Sequence, residues 1–350
     1  MELITTHQRE YWNEIIRSFP QKDIYYFCEY AESFQIHGDG SPVLIYVSLQ
    51  GVRMAYVMMQ NDLADFLPFR GSLDSGCWYD WTTPYGYGGP LYDGEITDEW
   101  AIEAMKEVAE YAVSQGIVSQ FFRFHPLLQN QRWLEKCSKV VYMKKTVAVN
   151  TESTELIWKN MTPNNRNMVR KAEKNGVVIR ADKGEHIDAF IEIYKRTMEQ
   201  NQADEYYYFA REYFEYILDK MHENTIIFYA FYDEKIISAS IFFYHDTFMH
   251  YHLSGTLPEY RSLAPVNLLL TKAAEWAAAQ GIKEFHLGGG VGKEDSLLRF
   301  KKHFNRNGLK DFCIGCNIFR EDQFQRLVEF RKELDSSFDP ENPYMIRYRG

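Results

Sequence analysis

His250-Tyr-His-Leu-Ser-Gly255, taken with His286-Leu-Gly-Gly-Gly-Val-Gly-Lys-Glu-Asp-Ser-Leu-Leu-Arg-Phe-Lys-Lys-His-Phe304, decides how this chain reads. Apolar alternation predicts a strand running into Ser254 and Gly255. A 3.6-residue period then predicts a helix from about Ala264 to Gln280, stopped at Gly281, and a second strand from Ile282 to Leu287. Together they form a unit of strand, crossover helix and strand. The second strand ends on Gly288, Gly289 and Gly290, where the missing Cβ lets the backbone approach a ligand or another segment closely. Beyond them, Phe300, Lys301, Lys302, His303 and Phe304 set cations among aromatic anchors beside a strand end. That setting suits anion binding or catalysis, because open sheets take ligands where strands end or splay.

Outward from this stretch, 350 residues are enough for two domains with separate cores, and 25 Tyr and 24 Phe supply rings for cores and grooves alike. No apolar run approaches the roughly 20 residues of a membrane helix, and residues 1–20 lack a signal peptide's apolar stretch, so a cytoplasmic protein is expected. Five cysteines in no framework spacing fit a reducing compartment. Cys313 and Cys316 lie in a strand-like run, where residues three apart face opposite ways. They read as structural, with too few ligands for zinc. The net charge of −10 argues against a general nucleic-acid coat protein. Yet residues 158–183 hold seven Lys or Arg against two acids, and residues 293–310 hold six against two, which suggests local anion recognition.

The rest of the chain repeats one order. The first half predicts a helix around Arg9 to Arg17, a second within Asp23 to Phe34, a hairpin over Val43 to Met59 turning at Gln50-Gly51, a helix from Asp98 to Gln115 and a strand from Ile117 to Phe124. The second half predicts a basic helix from Thr162 to Asn175, a strand from Val177 to Arg180, and helices over His186 to Gln200 and Tyr206 to Met221. A hairpin across Asp233-Glu234 and a strand from Thr247 to Ser254 follow. Ala112-Val-Ser-Gln-Gly-Ile117 and Ala277-Ala-Ala-Gln-Gly-Ile282 are the same helix end, each followed by an aromatic strand, so the chain reads as a tandem duplication of an α/β unit. A helix from Asp322 to Leu334 closes it.

An α/β unit of this order resembles the GNAT acyltransferase superfamily, and two in tandem resemble the Fem family of peptidoglycan-bridge peptidyltransferases. The resemblance is carried by Asn165-Arg-Asn-Met-Val-Arg-Lys-Ala-Glu-Lys-Asn-Gly-Val177, Tyr251-His-Leu-Ser-Gly-Thr256 and Ala264-Pro265. It continues through Ala274-Glu-Trp-Ala277, Gly281, Leu287-Gly-Gly289, and Asp295-Ser-Leu-Leu-Arg-Phe-Lys301 with Phe304. These span most of residues 160–304; the first half is similar more weakly, through Pro84-Tyr-Gly-Tyr-Gly-Gly-Pro90. The resemblance implies two tandem GNAT-like domains with mixed twisted sheets and flanking helices: residues 1–150, with the helix of about 320–350 packing back on them, and residues 151–319, carrying the site. It implies transfer of an amino acid from aminoacyl-tRNA, as co-substrate with no bound cofactor, to the amine of a nucleotide- or lipid-linked muramyl peptide. Without a long heptad run, the chain resembles the compact members.

Three departures qualify it. Arg261-Ser-Leu-Ala-Pro-Val266 stands where GNAT enzymes grip the pyrophosphate of coenzyme A with backbone N–H groups at a helix start. Both small positions carry side chains here and Pro265 has no N–H, which disfavours acyl-CoA. His286 replaces a common acidic residue. Tyr251 and Leu253, expected on one strand face, replace a pair of tyrosines.

Lys301 matches the family's Phe-Lys motif and is expected to stabilise the oxyanion or a tRNA-end phosphate, with Phe300 fixing its position. Asp295, Tyr251 and His252 are the candidate general bases. Arg166, Arg170 and Lys171 are expected on substrate phosphates, Tyr207 and Arg211 in the precursor groove, and Tyr85 and Tyr87 at a domain interface, with Gly288 and Gly289 lining the site. His250 and His252 share a strand face but lack a third metal ligand, so no metal is expected. Gly292-Lys293-Glu294 fails the phosphate-loop pattern. Two rival readings stay open: an acyl-CoA-dependent N-acyltransferase on an amino sugar or peptide amine, and a non-catalytic binding module for an anionic glycan precursor.

Overall fold

The structure, a computed structural model, describes every residue except Val291, Lys293 and Glu294, so that part of the glycine run and of the second basic stretch lies outside the described residues. The chain opens with β1 (Glu2–Thr5), α1 (Arg9–Ser18) and α2 (Cys28–His37). β2 (Ser41–Leu49) and β3 (Val52–Asp62) pair across Gln50 and Gly51, both at positive φ (53° and 80°) as a two-residue hairpin turn requires. β4 (Tyr79–Thr82), β5 (Leu91–Asp93), α3 (Asp98–Ser114) and β6 (Ile117–Arg123) follow. Thr97 caps α3 by accepting the Trp100 N–H at 3.1 Å. Gly116, at φ 73°, ends this segment where a Cβ would lie 2.6 Å from the Cys77 carbonyl oxygen.

After β7 (Lys139–Asn150) come α4 (Thr154–Asn160), α5 (Pro163–Lys174), β8 (Val178–Asp182), α6 (Ile187–Gln200) and α7 (Arg211–Lys220). Then β9 (Thr225–Tyr232), β10 (Lys235–His245) and β11 (Phe248–Thr256) lead to α8 (Pro265–Ala279), β12 (Glu284–Gly289) and α9 (Ser296–Lys302). β13 (Leu309–Ile318) and α10 (Glu321–Leu334) complete the order. The helix predicted over Tyr206 to Met221 is shorter. Asp204 accepts the Tyr206 N–H at 2.9 Å, closing a separate 3-10 turn over Glu205–Tyr207, and α7 begins only at Arg211.

Two units form: Met1–Met143 with Phe312–Gly350, and Lys144–Asp311. Each is an α/β unit built on a mixed sheet, and the two strand orders match. The first unit runs β1, β2, β3, β4, β6, β13, with β5 beside β3; the second runs β8, β9, β10, β11, β12, β7. In each, neighbours are antiparallel except the pair joined through the long helix: β4 with β6, and β11 with β12. One feature departs from simple tandem repetition. β7 follows β6 in the chain but pairs with β12 (Val149 opposite Phe285), and β13 follows β12 but pairs with β6 (Ile314 opposite Arg123). The predicted boundary at 319 is displaced for this reason: Phe312–Ile318 belongs to the first unit.

In the first unit α3 buries Trp100, Ala101, Ala104, Met105, Val108 and Ala112, one helical stripe, against Val43, Ile45, Met54 and Phe122 of the sheet. In the second, Leu269, Ala273 and Ala277 of α8 and Val169 and Ala172 of α5 pack on Phe228, Phe242 and Phe285. Cys313 joins the α3 side of the first sheet while Cys316 joins the α10 side, so the two thiols do face opposite ways.

α10 and the segment after it bury Phe324, Leu327, Val328, Phe338, Ile346 and Tyr348 in the first unit. There Arg349 grips the buried Asp80 carboxylate with both arms, Nε to Oδ2 at 2.6 Å and Nη2 to Oδ1 at 2.7 Å, while the Tyr348 hydroxyl donates to Oδ2 at 3.0 Å. Removing the guanidinium leaves a buried carboxylate with neutral donors, the Tyr348 hydroxyl and the Asn61 amide at 3.1 Å, and no paired charge from Arg349. Arg349→Met is expected to destabilise the first unit by about 3 kcal/mol, read from the urea midpoint; an unchanged midpoint would show the pair to be dispensable.

Candidate active site

Each glycine that ends β12 has its own physical reason. Gly288 sits at φ 74°, beside an irregularity in register where His286 pairs with Ala148 but Gly288 pairs with Val147. A Cβ on Gly289 would lie 3.1 Å from the Lys145 carbonyl oxygen and 3.6 Å from Cε of Lys144. A Cβ on Gly290 would overlap the Asp295 carboxylate, 2.0 Å from Oδ1. That carboxylate caps α9, accepting the Leu298 N–H at 2.8 Å, and also accepts the Gly292 N–H at 2.7 Å. Asp295 therefore holds both the Gly292 backbone and the first turn of α9. Of the three base candidates, its oxygens already serve the backbone.

α9 carries Lys301 into the interior, where it is 7% exposed. Its Nζ donates to the Gly289 carbonyl at 2.7 Å and lies 5.8 Å from the centre of the Tyr251 ring. Burial, and next the positive charge of Lys144, push its pKa down from the ordinary lysine value to about 7, against the opposing pull of Asp295. Lys144, at the start of the β7 portion in this unit, donates Nζ to the next carbonyl, Gly290, at 2.6 Å. Two ammonium groups thus hold two successive carbonyls of one turn. Lys144 was not among the sequence candidates. It sits in an ordinary β-like run, and only the pairing of β7 with β12 brings it here.

The frame of α9 is fixed at its far end. His303 accepts the Thr162 N–H through its carbonyl at 2.9 Å and pairs through Nδ1 with the Thr162 hydroxyl at 3.0 Å, tying α9 to the first turn of α5. Asn305 donates to the Ala148 carbonyl at 2.8 Å. Phe300 does not hold the ammonium. One residue from Lys301, it points elsewhere on the helix and packs edge-to-face on Phe304, 5.3 Å away, as part of the α5–α8 core. The ring beside Nζ is Tyr251.

Tyr251 owes that place to a bulge. Ile241 pairs with Leu253 but Phe242 pairs with Tyr251, leaving His252 as the extra residue. Tyr251 therefore stacks on Phe242 (5.6 Å) on the Lys301 side, whereas His252 turns to Phe243 (4.4 Å) and hydrogen-bonds Tyr213 at 2.6 Å. The expectation that Tyr251 and Leu253 share a face fails here, because the extra residue interrupts the alternation. The same reasoning removes His252 as the base: burial, and next His250, push its pKa down to about 3. Burial raises that of the Tyr251 phenol, opposed by Ser254 and Ser240. β11 and β12 pair only from Phe248 with Glu284 to His250 with His286, and part beyond. Tyr251, Gly289 and Lys301 gather where they part. His286, standing at the last pair, is buried and bonded to the Thr146 hydroxyl at 2.9 Å.

The remaining candidates are dispersed. Arg166 donates to the Trp158 and Met161 carbonyls (2.9 and 3.0 Å), closing the α4–α5 turn, a structural task in place of a phosphate contact. Asn165 of the same motif accepts from Asn267 of α8 at 2.6 Å. Arg170 and Lys171 are exposed on α5. Arg211 pairs with Asp188 and, at 3.7 Å, with Glu215 on the surface. Tyr207 is 38% exposed and its carbonyl accepts the Tyr194 hydroxyl at 2.8 Å. Tyr85 and Tyr87 pack inside the first unit. The Tyr85 ring meets Phe34 and its carbonyl accepts the Tyr30 hydroxyl; the Tyr87 ring meets Tyr25 and Phe312, and its phenol is pushed up to about 12 by burial. In the second unit Asp182, Glu185 and His186 bring ligand atoms within 4.8 Å of one another, but Asp182 already accepts from the N–H groups of Gly184 and Glu185 and pairs with His186. At the start of α8, Ala264 lies at φ 57° and Pro265 opens the helix without an N–H.

The buried lysine leaves a signature in stability. An unfolded chain binds a proton at Lys301 up to about pH 10, the folded one only up to about 7, so between those values the unfolded state holds more protons and stability rises with pH. Relative to Lys301→Met, the wild type is expected to gain about 2 kcal/mol between pH 7.0 and 8.5, measured as the change in the difference of urea unfolding free energies. A difference independent of pH would contradict the burial of this charge.

Comparison with known proteins gives the fold a relation. Residues 160–302 match the family model described as "Acetyltransferase (GNAT) domain". No curated protein matches the chain. Among solved structures it is similar to FemX, with a TM-score of 0.65 at 14% identity over 93% of this chain and 99% of that one. It is also similar to the C-terminal domain of a putative lysylphosphatidylglycerol synthetase from Agrobacterium fabrum (0.57, 12%, 89% and 91%). A third is a tandem GNAT protein from the clavulanic acid biosynthesis pathway (0.50, 7%, 91% and 99%). At these identities the likeness is one of fold. The chain has a Fem-type fold, two GNAT-like α/β units in tandem, and its residues 160–302 match the GNAT acetyltransferase domain model.

Proposed function

We propose that this chain is an aminoacyltransferase that forms an amide, moving an aminoacyl group from aminoacyl-tRNA to the side-chain amine of a peptidoglycan precursor. The observation that carries the reading is Lys301: buried, adjustable near neutral pH, and held on a backbone carbonyl where β11 and β12 part. In such a transfer the neutral amine attacks the ester carbonyl carbon, the carbonyl oxygen takes the negative charge, and the bond to the ribose oxygen then breaks. The amine's proton leaves for the departing oxygen. An ammonium that exchanges the Gly289 carbonyl for the developing oxyanion makes a stronger, charge-assisted bond in the transition state than at rest, which is what accelerates a reaction. Tyr251 beneath it excludes water from one side. The likeness in fold to FemX and to the putative lysylphosphatidylglycerol synthetase domain supports an aminoacyl donor, and the start of α8 supports it against acyl-CoA, since Pro265 offers no N–H to a pyrophosphate.

The acyl-CoA alternative draws on the parting of β11 and β12 and on the GNAT domain match. Three incubations of the purified chain separate the readings: a uridine-linked muramyl pentapeptide with charged tRNA, the same acceptor with acetyl-CoA, and binding of the acceptor alone. Amide formation is expected only with charged tRNA. Product from acetyl-CoA would transfer the assignment to that donor, and binding without product would leave a non-catalytic module. Lys301→Met is expected to lower kcat by about 100-fold or more while the acceptor still binds. With hydroxylamine, an acceptor already neutral over the range used, kcat/KM is expected to fall as pH rises through about 7, because the cation is the active form. A rate that rises through the same pH would make Lys301 a base instead.

A further inference from the structure

Lys144 has a place in the same turn that neither the motif nor the fold relation assigns to it. Its ammonium takes the Gly290 carbonyl at 2.6 Å, next to the Gly289 carbonyl taken by Lys301 at 2.7 Å. Its stem runs past Gly289, where a Cβ would stand at contact distance, 3.6 Å, from Cε. It is half-buried and reaches the turn from β7, whereas Lys301 and Asp295 come from α9 and its cap and Tyr251 from β11. We propose that Lys144 is a positioning residue for Lys301, fastening the Gly289–Gly290 turn from the β7 side and setting a second ammonium charge beside the first.

Two consequences follow from elementary electrostatics. A like charge nearby makes the resting Lys301 ammonium less comfortable, and the low dielectric of its surroundings magnifies that. An ammonium destabilised at rest gains more when an oxyanion or phosphate arrives, so Lys144 enlarges the difference between ground and transition state. The charged or titratable groups facing Lys301 among the described residues are Lys144 from β7, Asp295 from the turn before α9 and Tyr251 from β11; Lys145, next to Lys144, is paired with Asp311 at 2.5 Å. Of these only Lys144 adds positive charge to the environment of Lys301. The catalytic consequence rests on the proposed transferase reading; the effect on the resting protein does not.

The test uses the full chain with isotope-labelled lysine and follows the Lys301 Cε resonance, identified by its loss in Lys301→Arg, across pH 5 to 11. Lys144→Met keeps the stem against Gly289 and removes the charge; Lys144→Gln removes the charge with a shorter polar side chain; Lys144→Arg keeps the charge. The Lys301 midpoint is expected to move upward in Lys144→Met and Lys144→Gln and to return in Lys144→Arg, with the alkaline limb of kcat/KM moving alongside. An unmoved midpoint in either folded charge-removing variant would overturn the proposal even if aminoacyl transfer is found. A moved midpoint in a protein that transfers nothing would uphold it while ending the transferase reading.

Discussion

Taking an ammonium out of water costs several kcal/mol, and Lys301 offsets that cost with one carbonyl hydrogen bond, one aromatic face and a carboxylate beyond it. The balance is incomplete, which is why its pKa falls to about 7. Much of the second unit near this point can be understood as the means of holding that charge in place. Gly289 and Gly290 let the strand end approach the Lys145 carbonyl and the Asp295 carboxylate; Asp295 caps α9; Thr162 and His303 fasten the far end of α9. A bulge at His252 then presents Tyr251 beneath the ammonium.

The two units share one strand order but differ at the corresponding strand pair. In the second, β11 and β12 pair over three positions and then part, and Lys301 stands beside the place where they part. In the first, β4 and β6 stay paired from Tyr79 with Ile117 to Thr82 with Phe121, across one shift of register after Tyr79, and pairing continues through Thr83 and Gly88. Tyr85 and Tyr87 follow directly and are packed among Tyr25, Tyr30, Phe34 and Phe312. A duplicated fold has thus kept its strand pattern in both copies while only the later one leaves strand ends apart beside a buried cation.

Much of this was legible in the residues. Thr162 announced a helix start because a hydroxyl can take an orphan N–H, and Gly281 announced a helix end, where it sits at positive φ. The twin Gln-Gly endings disclosed the duplication. Lys301 was singled out through its motif and the glycines before it, and the structure buries it beside them. What stayed hidden depends on partners distant in the chain. Backbone ladders carry no side-chain code for which strand sits alongside, so the exchange of β7 and β13, and with it the arrival of Lys144, could not be read. A bulge leaves the alternation of residue types intact while reversing what faces where, and this misplaced Leu253 and His252. Arg166 looked like a phosphate ligand because a lone sequence cannot show that two carbonyls already occupy its guanidinium.

A co-structure with a phosphonate analogue of the tetrahedral intermediate, built on 3′-aminoacyl adenosine, tests the central claim most directly. The account predicts an analogue oxygen within about 3 Å of the Lys301 Nζ, in the opening between Tyr251 and Gly289. An analogue seated elsewhere, with Nζ still on the Gly289 carbonyl, would contradict it.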